Sequence, residues 1–137
     1  MPAGRKVKAV IPGGSSAPVL GADELDVAME FEALKVKQTM AGSGGVIVMD
    51  DTSCMVRCLW RVARFYAEES CGQCTPCRVG TAKARALIEQ PRWDLPLLAD
   101  LSQVMRDASI CGLGQAAPNP FDCVIKYFPH ELETMKP

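Results

Sequence analysis

At 137 residues the chain has room for one modest core or for two small lobes. Its 15 Lys and Arg nearly cancel 16 Asp and Glu, and the resulting charge of −1 argues against the basic face of a nucleic-acid binder. Hydrophobic content of 48% is that of an ordinary folded chain, and no apolar run reaches the roughly 18–20 residues of a bilayer span, so a cytoplasmic location without membrane insertion is expected.

In chain order, KVKAVIPGG alternates polar and apolar residues before a Pro-Gly-Gly stop, which predicts a short strand and a turn. Residues 22–39 are ambiguous: ADELDVAMEFEALK opens as a helix does, yet Met29 to Phe31 also suits a strand. AGSGG followed by VIVMDD predicts a turn and then a buried strand. The reading becomes helical after Asp51. Thr52 or Ser53 is placed to cap a helix running to about Glu69, with Met55, Val56, Leu59, Val62, Ala63 and Tyr66 on one stripe. A second helix is expected from Thr75, as N-cap before Pro76, to about Gln90. A third is expected over residues 95–108, turning Leu97, Leu98, Leu101, Val104 and Met105 to a core. A last one should start at Asn119-Pro120 and be bent or ended by Pro129.

A β-rich start followed by three or four short helices gives an α+β chain ending in a helical bundle, divided as residues 1–50 and 51–137. Two or three strands make a marginal sheet in water. The N-terminal part is therefore expected to be incomplete and to lean on another portion or chain.

Seven cysteines are an odd number and too few for a disulfide-built scaffold. Their spacing is more informative. ESCGQCTPCRVG places Cys71, Cys74 and Cys77 with two residues between neighbours, and SICGLGQ supplies Cys111 after 33 intervening residues. Three thiolates in one loop closed by a distant fourth is the ligand logic of a four-cysteine [4Fe–4S] cluster. Zinc more often takes two separated C-x2-C pairs, so a zinc-stabilised interaction module without redox role is the alternative, with redox thiols behind it. Arg78, Lys83 and Arg85 add positive charge after the triple, which would favour an anionic cluster, or else form a solvated helix face. Gly72, Gly80, Gly112 and Gly114 are expected to allow close backbone approach. Cys54, Cys58 and Cys123 read as apolar packing cysteines. The Gly13–Ser16 and Gly42–Gly45 stretches read as turns rather than phosphate cradles. His130 reads as a surface residue, and Trp60, Trp93, Phe65 and Tyr66 as core.

Together, AVIPGGSSAPVL, GSGGVIVMDDTSCMVR, RFYAEESCGQCTPCRVGT and SICGLGQAAPNP resemble the C-terminal half of the NADH-binding flavoprotein subunits, a family of NADH-oxidising proteins. That family includes the flavoprotein subunit of respiratory complex I, the diaphorase subunits of NAD-reducing hydrogenases and the β subunits of NAD-dependent formate dehydrogenases. The resemblance implies that residues 1–50 are part of a ubiquitin-like β-grasp domain and that residues 51–137 form the cluster-bearing helical domain. It implies Cys71, Cys74, Cys77 and Cys111 as ligands of one [4Fe–4S] cluster beside a flavin, relaying single electrons onward. FMN and NAD would bind only on a missing or partner portion, so the chain alone has no flavin or NADH site and no catalytic residue. The partners implied are that flavin portion, a [2Fe–2S] thioredoxin-like subunit, and a larger iron–sulfur subunit of the molybdenum or hydrogenase type. CGLGQAAPNP is closer to the soluble formate dehydrogenase and hydrogenase members than to complex I.

Overall fold

The computed structural model describes residues 4–134. It is a mixed helix-and-sheet structure in two compact units, the first ending at Cys54 and the second beginning at Met55.

The first unit is built on three antiparallel strands: β1 (Val7–Ile11), β2 (Leu20–Gly21) and β3 (Ile47–Asp50), in the order β2-β1-β3. Ala9 pairs with Gly21 on one side and Met49 on the other, and the fully buried Ala9 marks the centre of the sheet. Pro12, Ala17, Val19, Leu20 and Leu34 complete this small core. The ambiguous stretch resolves into a 3-10 turn over Ala22–Glu24 and a short helix α1 (Phe31–Val36), with no strand at Met29. The two glycine-rich segments are turns that bond to each other. Gly14 N–H donates to the Gly45 carbonyl and Ser43 N–H to that of Gly13. The expected burial of β3 is wrong: Ile47 and Val48 are 45% and 52% exposed, and Met49 alone of its residues is buried. The cause is position, because β3 is an edge strand whose apolar run is not covered from both faces.

The second unit packs α2 (Met55–Glu69), α3 (Thr75–Ile88), α4 (Leu95–Ala108), α5 (Gly112–Ala116), α6 (Asn119–Tyr127) and α7 (Pro129–Thr134). Met55, Leu59, Ala63 and Tyr66 of α2 are buried, on the expected stripe. They share the core with Ala84 and Ile88 of α3, Leu98 and Met105 of α4, and Phe121 and Val124 of α6. Burying each large aliphatic or aromatic side chain is worth about 1.5–3 kcal/mol, so this core holds the bundle together. Val104 is turned out to solvent and Leu97 and Leu101 are only half-buried, since Ser102 takes the inward position between Leu98 and Met105. Phe65 is likewise exposed, and Trp60 and Trp93 are half-buried.

Three helix starts differ from expectation by one residue or by partner. Cys74, not Thr75, is the N-cap of α3, and Pro118, not Asn119, that of α6. In both cases the following proline falls at the second helical position, where its missing N–H is equally free of cost. At α2 the Thr52 and Ser53 hydroxyls donate to Asp50, and the Met55 N–H donates instead to the buried Glu131 carboxylate at 2.7 Å. Helix α6 ends at Tyr127 with Phe128 as its C-cap, immediately before Pro129, and α7 follows it.

Candidate metal centre

All four motif cysteines lie in the helical unit. Cys71 is exposed in the loop between α2 and α3, Cys74 is half-buried at the N-cap of α3, and Cys77 is buried one turn into it. Cys111 is exposed at the N-cap of α5. The short helix α5, absent from the sequence expectation, packs on both α3 and α4 and so carries Cys111 back to the triple. Gly114 makes this approach possible. A Cβ there would overlap Ser109 Oγ and stand 2.8 Å from Cys77 Cβ, so no side chain fits. Gly112, in contrast, has nothing near it and needs no such account.

Local hydrogen bonds shape the loop. Gly72 adopts φ +77°, the left-handed region natural to glycine, and its N–H donates to Ser70 Oγ at 3.4 Å. Ser70 Oγ also lies 3.3 Å from Cys77 Sγ, where its hydroxyl proton can serve a thiolate. Arg78 donates to the Gly72 carbonyl and to Thr75 Oγ1, clamping the loop across its turn. The Cys74 thiol is held below its ordinary value, first by the Ile110 backbone amide and then by that of Cys77, with burial opposing. Ile110, next to Cys111, is thus a neighbour of Cys74, and Gly114 of α5 packs beside Cys77.

Of the other expected charges, Arg85 is spent on Glu89 at 3.1 Å and Glu68 at 4.0 Å, and Lys83 is exposed. Cys54 and Cys58 are half-buried, Cys123 is buried on α6, and His130 is exposed beside the Phe128 ring. Sequence reasoning missed the hydroxyls of Ser70 and Ser109, each within two residues of a motif cysteine. Polar residues flanking the cysteines were the available signal.

Among the described residues, no three His, Cys, Asp or Glu side chains are gathered closely enough to hold a single metal ion. A four-iron cube asks for something wider, one thiolate at each of four corners. The residues present fit that demand in chemistry. Four thiols come from two segments that pack together where Gly114 meets Cys77, and Ser109 Oγ is buried with no hydrogen-bond partner beside them.

Residues 57–135 match the family described as the NADH-ubiquinone oxidoreductase-F iron-sulfur binding region. The chain is 38% identical, over 96% of its length, to the HndC subunit of the NADP-reducing hydrogenase of Solidesulfovibrio fructosivorans, covering 28% of that protein. It is 44% identical, over 94% of its length, to an NADH-quinone oxidoreductase subunit of Rhizobium meliloti (strain 1021), covering 32% of it. It thus spans about a third of the curated relatives it matches. In three dimensions it resembles a chain of an NAD+-reducing [NiFe]-hydrogenase in the H2-reduced state. The TM-score is 0.83 at 36% identity, covering 94% of this chain and 23% of that one. No helix of the described residues is long and apolar enough to cross a membrane. The sequence match and the fold agree: this chain belongs to the NADH-ubiquinone oxidoreductase-F iron-sulfur binding family, and its cofactor is a [4Fe–4S] cluster.

Proposed function

We propose that Cys71, Cys74, Cys77 and Cys111 hold the cluster and that the chain is an electron-transfer module of an NADH-oxidising or NAD-reducing complex. The observation that carries the ligand assignment is the close packing of Gly114, on the helix that follows Cys111, against Cys77, which brings two segments far apart in sequence to one place. The cluster, when bound, exchanges one electron at a time, the capacity needed between a two-electron flavin and one-electron carriers. The residues around it supply the remainder. Cys77 and Cys74 sit at the start of α3, where free N–H groups and the helix dipole favour negative charge. Ser70 offers a proton to sulfur, and the Arg78 clamp fixes the loop that carries Cys71.

Several finer readings rest on the family resemblance. Residues 1–50 are part of a ubiquitin-like β-grasp domain, and residues 51–137 form the cluster domain. FMN and NAD bind on a portion outside these residues or on a partner, and downstream clusters include that of a [2Fe–2S] thioredoxin-like subunit. The parent complex is a cytoplasmic NAD-dependent formate dehydrogenase or hydrogenase; the hydrogenase relatives support the second of these.

The ligand test is direct. Iron and sulfide analysis of anaerobically purified protein should find both elements, and the brown colour should bleach on reduction. A colourless protein with one zinc would establish the interaction-module reading instead. Serine at Cys74 or Cys77 should abolish or convert the EPR signal of the reduced protein, whereas serine at Cys54, Cys58 or Cys123 should leave it intact. Loss of the signal in Cys58→Ser with retention in Cys111→Ser would overturn the assignment.

A further inference from the structure

Ser109 closes α4 in a conformation fixed from both sides. Its N–H donates to the Met105 carbonyl at 3.2 Å and its own carbonyl accepts from Gln115 Nε2 at 3.0 Å. The residue is 5% exposed, yet among the described residues its Oγ is the buried side-chain oxygen or nitrogen without a hydrogen-bond partner. Burying a hydroxyl unsatisfied is costly, and native structures rarely leave one so. The direction in which Ser109 points explains the exception. Its Oγ and Cβ lie against Gly114, on the same side as Cys77 Cβ, in the space where a Gly114 side chain would stand. Cys74 is close enough that the Ser109 hydroxyl is among the groups acting on its thiol, although the two are not within hydrogen-bonding geometry. The hydroxyl thus faces the side of the site that carries Cys74 and Cys77. Ser70, by contrast, already has Cys77 Sγ and Gly72 N–H as partners.

We propose that Ser109 is a positioning residue that donates a hydrogen bond to a cluster sulfur on the Cys74–Cys77 side and thereby raises the reduction potential of the cluster. The inference rests on the ligand reading above. A proton offered to sulfur stabilises the reduced cluster more than the oxidised one, because the added electron raises the negative charge on sulfur. Gly114 belongs to the same device, since a side chain there would occupy the space that the hydroxyl uses.

The test is a redox titration followed by EPR on the full chain loaded with iron and sulfide. Ser109→Ala should keep the wild-type iron and sulfide content while its reduced-to-oxidised ratio at fixed potential falls about tenfold, a drop of about 59 mV for one electron. Ser109→Thr keeps the hydroxyl and should restore the wild-type midpoint. An exchangeable proton coupled to the reduced cluster by ENDOR should vanish in the alanine variant and persist in the threonine one. An unchanged or raised potential at full iron content overturns the proposal. Where alanine fails to hold iron, Ser109→Val against Ser109→Thr compares side chains of nearly equal shape. A lowered potential in Val alone supports the role, and loss of the cluster in Val but not Thr assigns the hydroxyl to assembly and overturns the tuning. An unaltered signal in Cys74→Ser together with a shifted Ser109→Ala potential would sink the ligand reading and leave the Ser109 role standing. A wild-type chain without iron would sink both.

Discussion

Among the basic residues near the motif, Arg78 alone couples its charge to the cluster loop. Arg85 is neutralised by Glu68 and Glu89, while the Arg78 guanidinium lies across the turn on the Gly72 carbonyl and Thr75 Oγ1. It therefore has two separable effects, charge and clamping. Arg78→Gln removes both and should lower the midpoint potential by tens of millivolts, on the order of one partly screened charge. Arg78→Lys keeps the charge but not the planar fork, so it should hold the potential and release iron faster to a chelator. Equal potentials in wild type and Arg78→Gln, measured by EPR titration, would rule out the electrostatic part. The four cysteines were legible in the sequence because three ligands share one loop, and their types and spacing state the chemistry. Ser109 was not legible, because an exposed serine and a buried, unpartnered one are the same letter. Only packing against Gly114 and Cys77 distinguishes them.

Helices α5 and α7 each offer one contact that yields a test. Gly114→Ala would force a methyl into Ser109 Oγ and Cys77 Cβ, and overpacking of this kind costs about 1–3 kcal/mol. The strain falls on the element that brings Cys111 to the triple. Iron content should thus drop in Gly114→Ala, while the neighbouring Gly112→Ala, with open space around it, keeps its iron. Full iron occupancy in both would show that α5 does not position Cys111. At α7, the Glu131 carboxylate serves the first N–H of α2 from 76 residues away. Glu131→Ala should destabilise the helical unit by about 0.5–2 kcal/mol, the usual cost of a lost cap, read as a shift in the urea midpoint. Glu131→Gln keeps an oxygen acceptor and should lose less. These features set the limit of sequence reading for the elements. The long amphipathic helices α2 and α4 were readable from periodicity, and the bounds of α4 matched. Helix α5 is five residues long with two glycines, too short and too glycine-rich to show a stripe, and it exists because tertiary packing overrides propensity. The cap of α2 comes from a residue too distant in sequence for any local motif to reveal.

The whole chain is two units of unequal cores, and the sheet unit has the smaller one. The α+β pattern was legible from the change of hydrophobic period near Asp51, but the exposure of β3 was not, since an apolar strand reads alike at an edge or a centre. In a unit with so few buried side chains, polar ties between strand ends matter more. The clearest is Asp50, which accepts from Arg5 Nη1 at 2.5 Å on one oxygen and from Thr52 and Ser53 hydroxyls on the other. The Arg5 bond, and after it the Thr52 hydroxyl, hold this carboxyl well below the usual carboxylate range. A depressed folded value means that Asp50 contributes stability in full above the unfolded carboxylate value of about 3.9, and loses it as pH falls further toward the folded value. The effect is modest, because the Arg5 side of the pair is solvent-exposed and salt screens it. The protection of the β1 and β3 amides against hydrogen exchange, taken relative to the unfolded chain at the same pH, should therefore fall on acidification below about pH 4 in the wild type. In Asp50→Asn it should already be lower at neutral pH and change less with acid, with the amides of α2 and α3 unaffected. Arg5→Gln should reduce the acid response in the same way, and the double variant should add little to either single one, as groups in direct contact are not additive. An acid response of β1 and β3 as steep in Asp50→Asn as in the wild type would move the acid sensitivity of this unit to another carboxylate.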